Sequence, residues 1–339
     1  MRKNRRITAL LLGAALLSAL FAGCASAPAA VPAETAAPAA VRAEQAGAEV
    51  DLAQEEQEQS MVPLSGEPAA ATALMPAASG TDVRKNDKAE IDASNTADGY
   101  VMVRTLEPSS AKRKVITTGP SGVKYTYNLN SAGMFDVFPL SDGNGTYKIT
   151  VYRSVSGSRY SVEYSTTVTA QLKDEFAPFL LPNQYVNYTA ASQTVKKAAE
   201  LTKNSKDELA SIKAVYGYVV TTLTYDKQRA ATVQSGYLPD LDAVLAAKKG
   251  ICFDYAALMT AMLRSRGIPC KLVVGYAGTV YHSWINAYSK EKGWISGVIY
   301  FDGAQWKLMD PTFASTGKSS SSIMKYIGDG NNYTAKYLY

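Results

Sequence analysis

One histidine, His282, stands in the whole 339-residue chain, and it follows a cysteine that opens an apolar helical stretch. That cysteine is Cys252, in "GICFDYAALMTAML", where Gly250 halts the preceding segment. A thiol acts as a nucleophile in its thiolate form, which a helix N-terminus and a neighbouring imidazolium both favour. Position meets the first condition: Tyr255, Ala256, Met259 and Leu263 recur at helical spacing behind Cys252 and predict one buried face. His282, in "YHSWINAY" at the start of a strand-like run, is the candidate for the second. Asp310 follows in "WKLMDPT", at the end of another such run and before a proline that stops it. Cysteine, histidine and aspartate in this order suit a relay. The imidazole takes the thiol proton, and the carboxylate fixes the ring's tautomer and orientation. Taken singly, a lone histidine is a solvated or satisfied side chain and an aspartate before proline is a turn residue. The three together carry the chemistry.

The elements that must position them lie in residues 173–339. Helical periodicity runs through 192–203, 206–223, 241–249 and 252–266. The strand-like runs "CKLVVGYA", "HSWINAYS", "GWISGVIYF" and "WKLMD" come afterwards. Helices first and strands later predict an α+β arrangement, helices packed on an antiparallel sheet, with enough chain for one core. Residues 93–172 read differently. "YVMVRT", "KRKVITT", "VKYTYNL", "MFDVFPL", "TYKITVYR" and "RYSVEYSTTVTAQL" alternate, and turn sequences such as "GPSG" and "SDGNG" separate them. They predict a small all-β sandwich, immunoglobulin- or fibronectin-like. No catalytic constellation falls inside it, so its expected role is spacing or packing.

The N-terminus sets the compartment. Arg2, Lys3, Arg5 and Arg6 precede the apolar "ITALLLGAALLSALFAG", a signal-peptide layout over residues 1–23. "LFAGC" resembles a bacterial lipobox, with Phe21 where leucine is usual. In such a box the cysteine, here Cys24, receives a diacylglycerol group of palmitate-type chains, and two chains anchor stably. The expected location is extracytoplasmic, lipid-anchored to the bacterial cell membrane; the alternatives are a secretory signal whose cysteine is incidental and a retained transmembrane helix. Residues 24–92, rich in Ala, Pro, Glu and Gln, predict a disordered tether, spanning roughly 45 Å as a flexible coil.

The formal charge of +5 is unevenly spread. Residues 25–92 hold twelve acidic against four basic side chains, and 93–339 hold 27 basic against 18 acidic. An acidic tether thus carries a moderately basic body, which suits anionic wall polymers or membrane surfaces weakly. No nucleic-acid motif, phosphate-cradling glycine loop or dinucleotide fingerprint occurs. One histidine and two separated thiols offer no metal site at zinc spacing, and no cofactor is expected. A Cys252–Cys270 disulfide is disfavoured. A helix over 252–265 advances roughly 20 Å, which leaves too few residues to return within disulfide reach. Cys270 reads as a small buried apolar residue.

"GICFDYAALMTAMLRSRGIPCKLVVGY", "HSWINAY" and "WKLMDPTF" together resemble the three successive motifs of the transglutaminase-like superfamily of papain-type cysteine enzymes. The resemblance is close over about 250–313 and looser from about 190. It implies Cys252 as nucleophile, His282 as general base and acid, and Asp310 as the group orienting the histidine. It further implies an oxyanion site built from the Cys252 backbone N–H and an upstream aromatic or glutamine side chain. Tyr237 is the choice by spacing, with Gln234 and Gln228 in reserve and a packing role for Tyr237 equally open. Cys270 and Lys271 depart from the pattern, and "SKEKGWISGVIYFDGAQ" lengthens the interval from histidine to aspartate. The implied activity is acyl chemistry on amide or peptide bonds through a thioacyl intermediate, hydrolysis favoured over amine transfer. Protein, peptide or cell-wall peptide would be the substrate. The competing reading is a non-catalytic surface-binding or scaffolding lipoprotein that keeps the fold.

Overall fold

The computed structural model describes residues 73–296 except Ser235, together with 299–301, 306–308 and 333–339; for 296, 299–301 and 306–308 only the backbone is described. All described residues belong to one compact unit. The first part is a sandwich of two four-stranded antiparallel sheets. One has the order β1 (Val83–Lys85), β2 (Ala89–Asp92), β3 (Tyr100–Thr105), β6 (Asp136–Pro139). The other runs β5 (Lys124–Leu129), β4 (Arg113–Thr118), β7 (Gly145–Ser156), β8 (Arg159–Ala170). Alternation drives the packing: Val115 is buried while Lys114 and Ile116 on either side are partly exposed, as a half-buried strand requires. Ala89, Ile91, Val101 and Val103 from one sheet join Val115, Tyr127, Ile149 and Val151 from the other in the core.

The six expected strands correspond to β3 through β8. The tether expected over 24–92 is corrected at its C-terminal end. β1 and β2 fall inside it, and Ala89 and Ile91 are fully buried. "KAEID" carries only two apolar side chains, but they alternate, and a neighbouring strand is enough to bury both.

The second part begins with α1 (Gln193–Thr202) and α2 (Glu208–Thr222), followed by a short β9 (Thr224–Tyr225), α3 (Lys227–Thr232) and α4 (Leu241–Ala247). Next come β10 (Lys249–Gly250), α5 (Cys252–Arg264), β11 (Cys270–Ala277), β12 (Val280–Ser289) and β13 (Gly293–Ser296). β14 (Ile299–Phe301) and β15 (Trp306–Leu308) pair with each other, and β16 (Tyr333–Leu338) returns to the main sheet, whose order is β13-β12-β11-β16. Its pairs are all antiparallel.

α5 is the hub. α1, α2 and α4 pack around it on one side, and β11 and β12 on the other. The single buried face expected for it is corrected: all thirteen residues are buried, Asp254 and Arg264 included. Arg264 answers three backbone carbonyls, donating to Cys270 O at 2.8 Å, Leu181 O at 2.6 Å and Tyr339 O at 2.6 Å. The apolar core runs on without a break into the sandwich, where Tyr125 and Tyr127 pack edge-on against Tyr339 at 5.5 and 5.8 Å.

Candidate active site

Cys252 is the first residue of α5, and Ile251, in extended conformation, is the N-cap. The Asp254 carboxylate turns back and accepts the Ile251 N–H at 2.8 Å, which satisfies one of the free donors of the first turn. Gly250 makes room for this: a Cβ there would lie 2.6 Å from Asp254 Cβ. The chain reaches Gly250 from α4 through Lys248, whose φ of 51° is left-handed. β10 then pairs in parallel with β9, which ties the approach to Cys252 to the end of α2.

The histidine lies on the second of two strands that follow α5 and pack against it. After α5 a tight turn leads into β11, where Cys270 meets Thr260 of the helix (Sγ to Oγ1, 3.6 Å), and the strand runs on to its end at Ala277. β12 starts from that end, and Tyr281 and His282 pair with Tyr276 and Gly275. Cys252 is 3% and His282 5% exposed. Cys252 lies close enough to Tyr281 for the two to interact electrostatically.

Alternation assigns the faces. Cys270, Leu272 and Val274 on β11, with Tyr281, Ile285 and Ala287 on β12, form the face toward α5. His282 projects from the other face, stacked at 6.4 Å on Trp284. Asp310 lies outside the described residues, as does Cys24. Among the described residues no group of three His, Cys, Asp or Glu side chains is placed to hold a metal ion, and no helix is long and apolar enough to cross a membrane.

Tyr237 is not available for the role expected of it. Its hydroxyl donates to Asp254 Oδ1 at 2.6 Å and accepts from Arg229 Nη1 at 2.9 Å. Burial first, then the Asp254 carboxylate, raises its pKa, so the single proton stays on the phenol and is committed to Asp254. Of the reserves, Gln234 donates to Thr232 O at 2.9 Å. Burial raises the Asp254 pKa against the opposing pull of Tyr237, the Ile251 amide and Arg229. Asp226 caps α3 by accepting the Arg229 N–H at 2.9 Å and pairs with Lys249 at 3.3 Å. Arg229 was missed altogether; lying one turn after an N-cap aspartate was its only signal. Both Cys252 and Cys270 are free thiols. Burial pushes Cys270 up to about 12, which keeps it a thiol at neutral pH.

Residues 195–297 match the Transglutaminase-like superfamily, and Cys252 and His282 fall inside the match. These residues form a transglutaminase-like domain. The uncharacterized protein YebA of Bacillus subtilis (strain 168) is 29% identical over 119 residues, covering 29% of this chain and 16% of YebA. The chain thus spans a small part of that relative's length. Among solved structures, a candidate cysteine protease from Cytophaga hutchinsonii is 14% identical with a TM-score of 0.34, covering 71% of this chain and 83% of that one. The periplasmic domain of TgpA from Pseudomonas aeruginosa is 17% identical with a TM-score of 0.32, covering 70% and 77%. Around the transglutaminase-like domain, the α+β architecture and the preceding all-β part agree with the fold read from sequence.

Proposed function

We propose that the transglutaminase-like domain is a cysteine enzyme that acts on amide or peptide bonds through a thioacyl intermediate. Cys252 is the nucleophile, His282 the general base and then acid, and Asp310 the group that orients the imidazole. The observation that supports this reading is that Cys252 opens α5 and His282 lies on β12, a strand that packs against α5, both inside the matched residues 195–297. Water resolves the intermediate in preference to an amine, with a protein, peptide or cell-wall peptide as substrate. The chain acts outside the cytoplasm, held to the bacterial membrane through lipid on Cys24. An alkyne fatty acid fed to expressing cells should mark the wild type and not Cys24→Ser.

A second reading, a non-catalytic binding lipoprotein, draws support from the near-complete burial of Cys252 and from the face of β12 that bears His282. Iodoacetamide separates the two. The enzyme reading expects Cys252 to alkylate faster than free cysteine at pH 7, at least tenfold slower in His282→Ala, with Cys270 silent. Ordinary or absent reactivity at Cys252 sinks it and leaves the binding role. Mass spectrometry of peptides incubated with the protein and an amine donor then distinguishes cleavage from cross-linking.

A further inference from the structure

The hydroxyl of Tyr281 is buried and, among the described residues, has no hydrogen-bond partner. The residue is 7% exposed. A buried hydroxyl without a partner is destabilising, and phenylalanine would fill the same space without that penalty. Such a group calls for an explanation outside stability. Tyr281 precedes His282 in β12 and lies on the opposite face from it, the one turned toward α5, within electrostatic range of Cys252. Burial first, then the charges of Tyr337, Tyr276, Tyr185 and Cys252, push its pKa up, so the phenol keeps its proton and is a standing donor. Tyr127 also has an unpaired buried hydroxyl, but its electrostatic neighbours are tyrosines and Arg264, with no nucleophile among them. Tyr237, the donor expected from spacing, already spends its one O–H hydrogen bond on Asp254.

We propose that the Tyr281 hydroxyl is the second donor of the oxyanion site, beside the Cys252 backbone N–H. This rests on Cys252 being the nucleophile. As first residue of α5, Cys252 has an N–H that the helix itself does not satisfy. The Cys252 thiolate attacks the carbonyl carbon, the C–S bond forms, and the π pair moves to oxygen. Tyr281 O–H and Cys252 N–H donate to that oxygen. Collapse restores the C=O bond and breaks the bond to the leaving nitrogen, which takes the proton held on His282. Water then attacks the thioester, gives its proton to His282, and the C–S bond breaks. Both oxyanions form in the same place, so one donor serves both steps.

The test uses the full chain, with p-nitrophenyl acetate as acyl donor and iodoacetamide as a control, because alkylation passes through no oxyanion. Tyr281→Phe is expected to acylate roughly 10²- to 10³-fold more slowly than wild type. Its alkylation rate at Cys252 should be unchanged and its Tm equal or higher. Acylation at the wild-type rate overturns the inference. So does a parallel fall in acylation and alkylation, which would make Tyr281 a support for the thiol and not a donor to oxygen. If wild-type Cys252 shows no His282-dependent alkylation, the nucleophile reading itself has failed, and the inference falls with it.

Discussion

The sandwich and the start of α5 each bury a carboxylate, and they hold it in opposite ways. Glu163 on β8, with 3% side-chain exposure, receives Arg113 Nε at 2.7 Å and Nη2 at 3.3 Å, and the Arg113 side chain is itself fully buried. Two NH groups of one planar cation match two oxygens of one anion. Asp254, fully buried, takes its direct hydrogen bonds from neutral donors, the Tyr237 hydroxyl and the Ile251 amide. Its nearest cation, Arg229, stands 3.6 Å off with 41% of its side chain exposed. Charge is cancelled where the molecule only has to be held together. It is left incompletely balanced two residues from the proposed nucleophile.

The largest effect belongs to the matched pair. Glu163→Gln leaves the Arg113 guanidinium buried without its countercharge, which costs about 3–5 kcal/mol. Urea denaturation should show that loss, while the alkylation rate of Cys252 below the transition stays at the wild-type value. A slowed Cys252 would break the comparison, because it would make the sandwich pair part of the site.

Tyr237→Phe should have the intermediate effect, and it carries a pH signature. Removing the hydroxyl strips Asp254 of a charge-assisted hydrogen bond, worth about 2 kcal/mol at neutral pH. Asp254 has a folded pKa raised by burial above its unfolded value, so its folded state favours the protonated carboxyl. Stability from this group is present below the unfolded pKa and is lost as pH rises through the folded one. The substitution removes an influence that lowers the folded pKa, so its penalty should be greatest at neutral pH and shrink toward pH 4. A penalty independent of pH would mean that Tyr237 acts by packing alone.

What could be read in the sequence follows the same division. Strands β3 to β8 and helices α1, α2, α4 and α5 announce themselves because each is long enough for its period to show. β11 was legible to the residue, since "CKLVVGYA" lies between a glycine turn and a glycine hairpin. β1, β2 and α3 were not, because each has too few apolar residues and gets its burial from neighbours that only the fold supplies. Cys252 and His282 stood out as residue types. Tyr237 went wrong for an instructive reason: spacing brought it to α5, but the partner waiting there was Asp254. Tyr281 carried a signal that went unused. Reading period 2 from Ile285 and Ala287 back through Ser283 puts it on the core face, the one turned toward α5.

The smallest effect sharpens the contrast from the solvent side. Asp242 on α4 caps another element: its carboxylate accepts the Gln193 N–H at 2.9 Å, the Thr194 N–H at 2.8 Å and the Thr194 hydroxyl at 2.7 Å, at the start of α1. Burial pulls its pKa up, but the Thr194 amide and hydroxyl, the Gln193 amide and Lys196 outweigh it and leave the pKa lowered. The sign is therefore opposite to that of Asp254. Its stabilisation is present above the ordinary aspartate pKa, about 3.9, and is lost as pH falls through the depressed folded value. Asp242→Ala should destabilise by about 1 kcal/mol at neutral pH, the usual worth of a capping carboxylate. The variant and the wild type should converge in strong acid, where the wild-type carboxyl is protonated too. Thermal melts from pH 2 to 7 on both variants would then give two curves that converge at different pH, Tyr237→Phe with wild type on the higher side of pH 3.9 and Asp242→Ala on the lower. Convergence at one common pH would mean that the start of α5 and the surface cap hold their carboxylates alike.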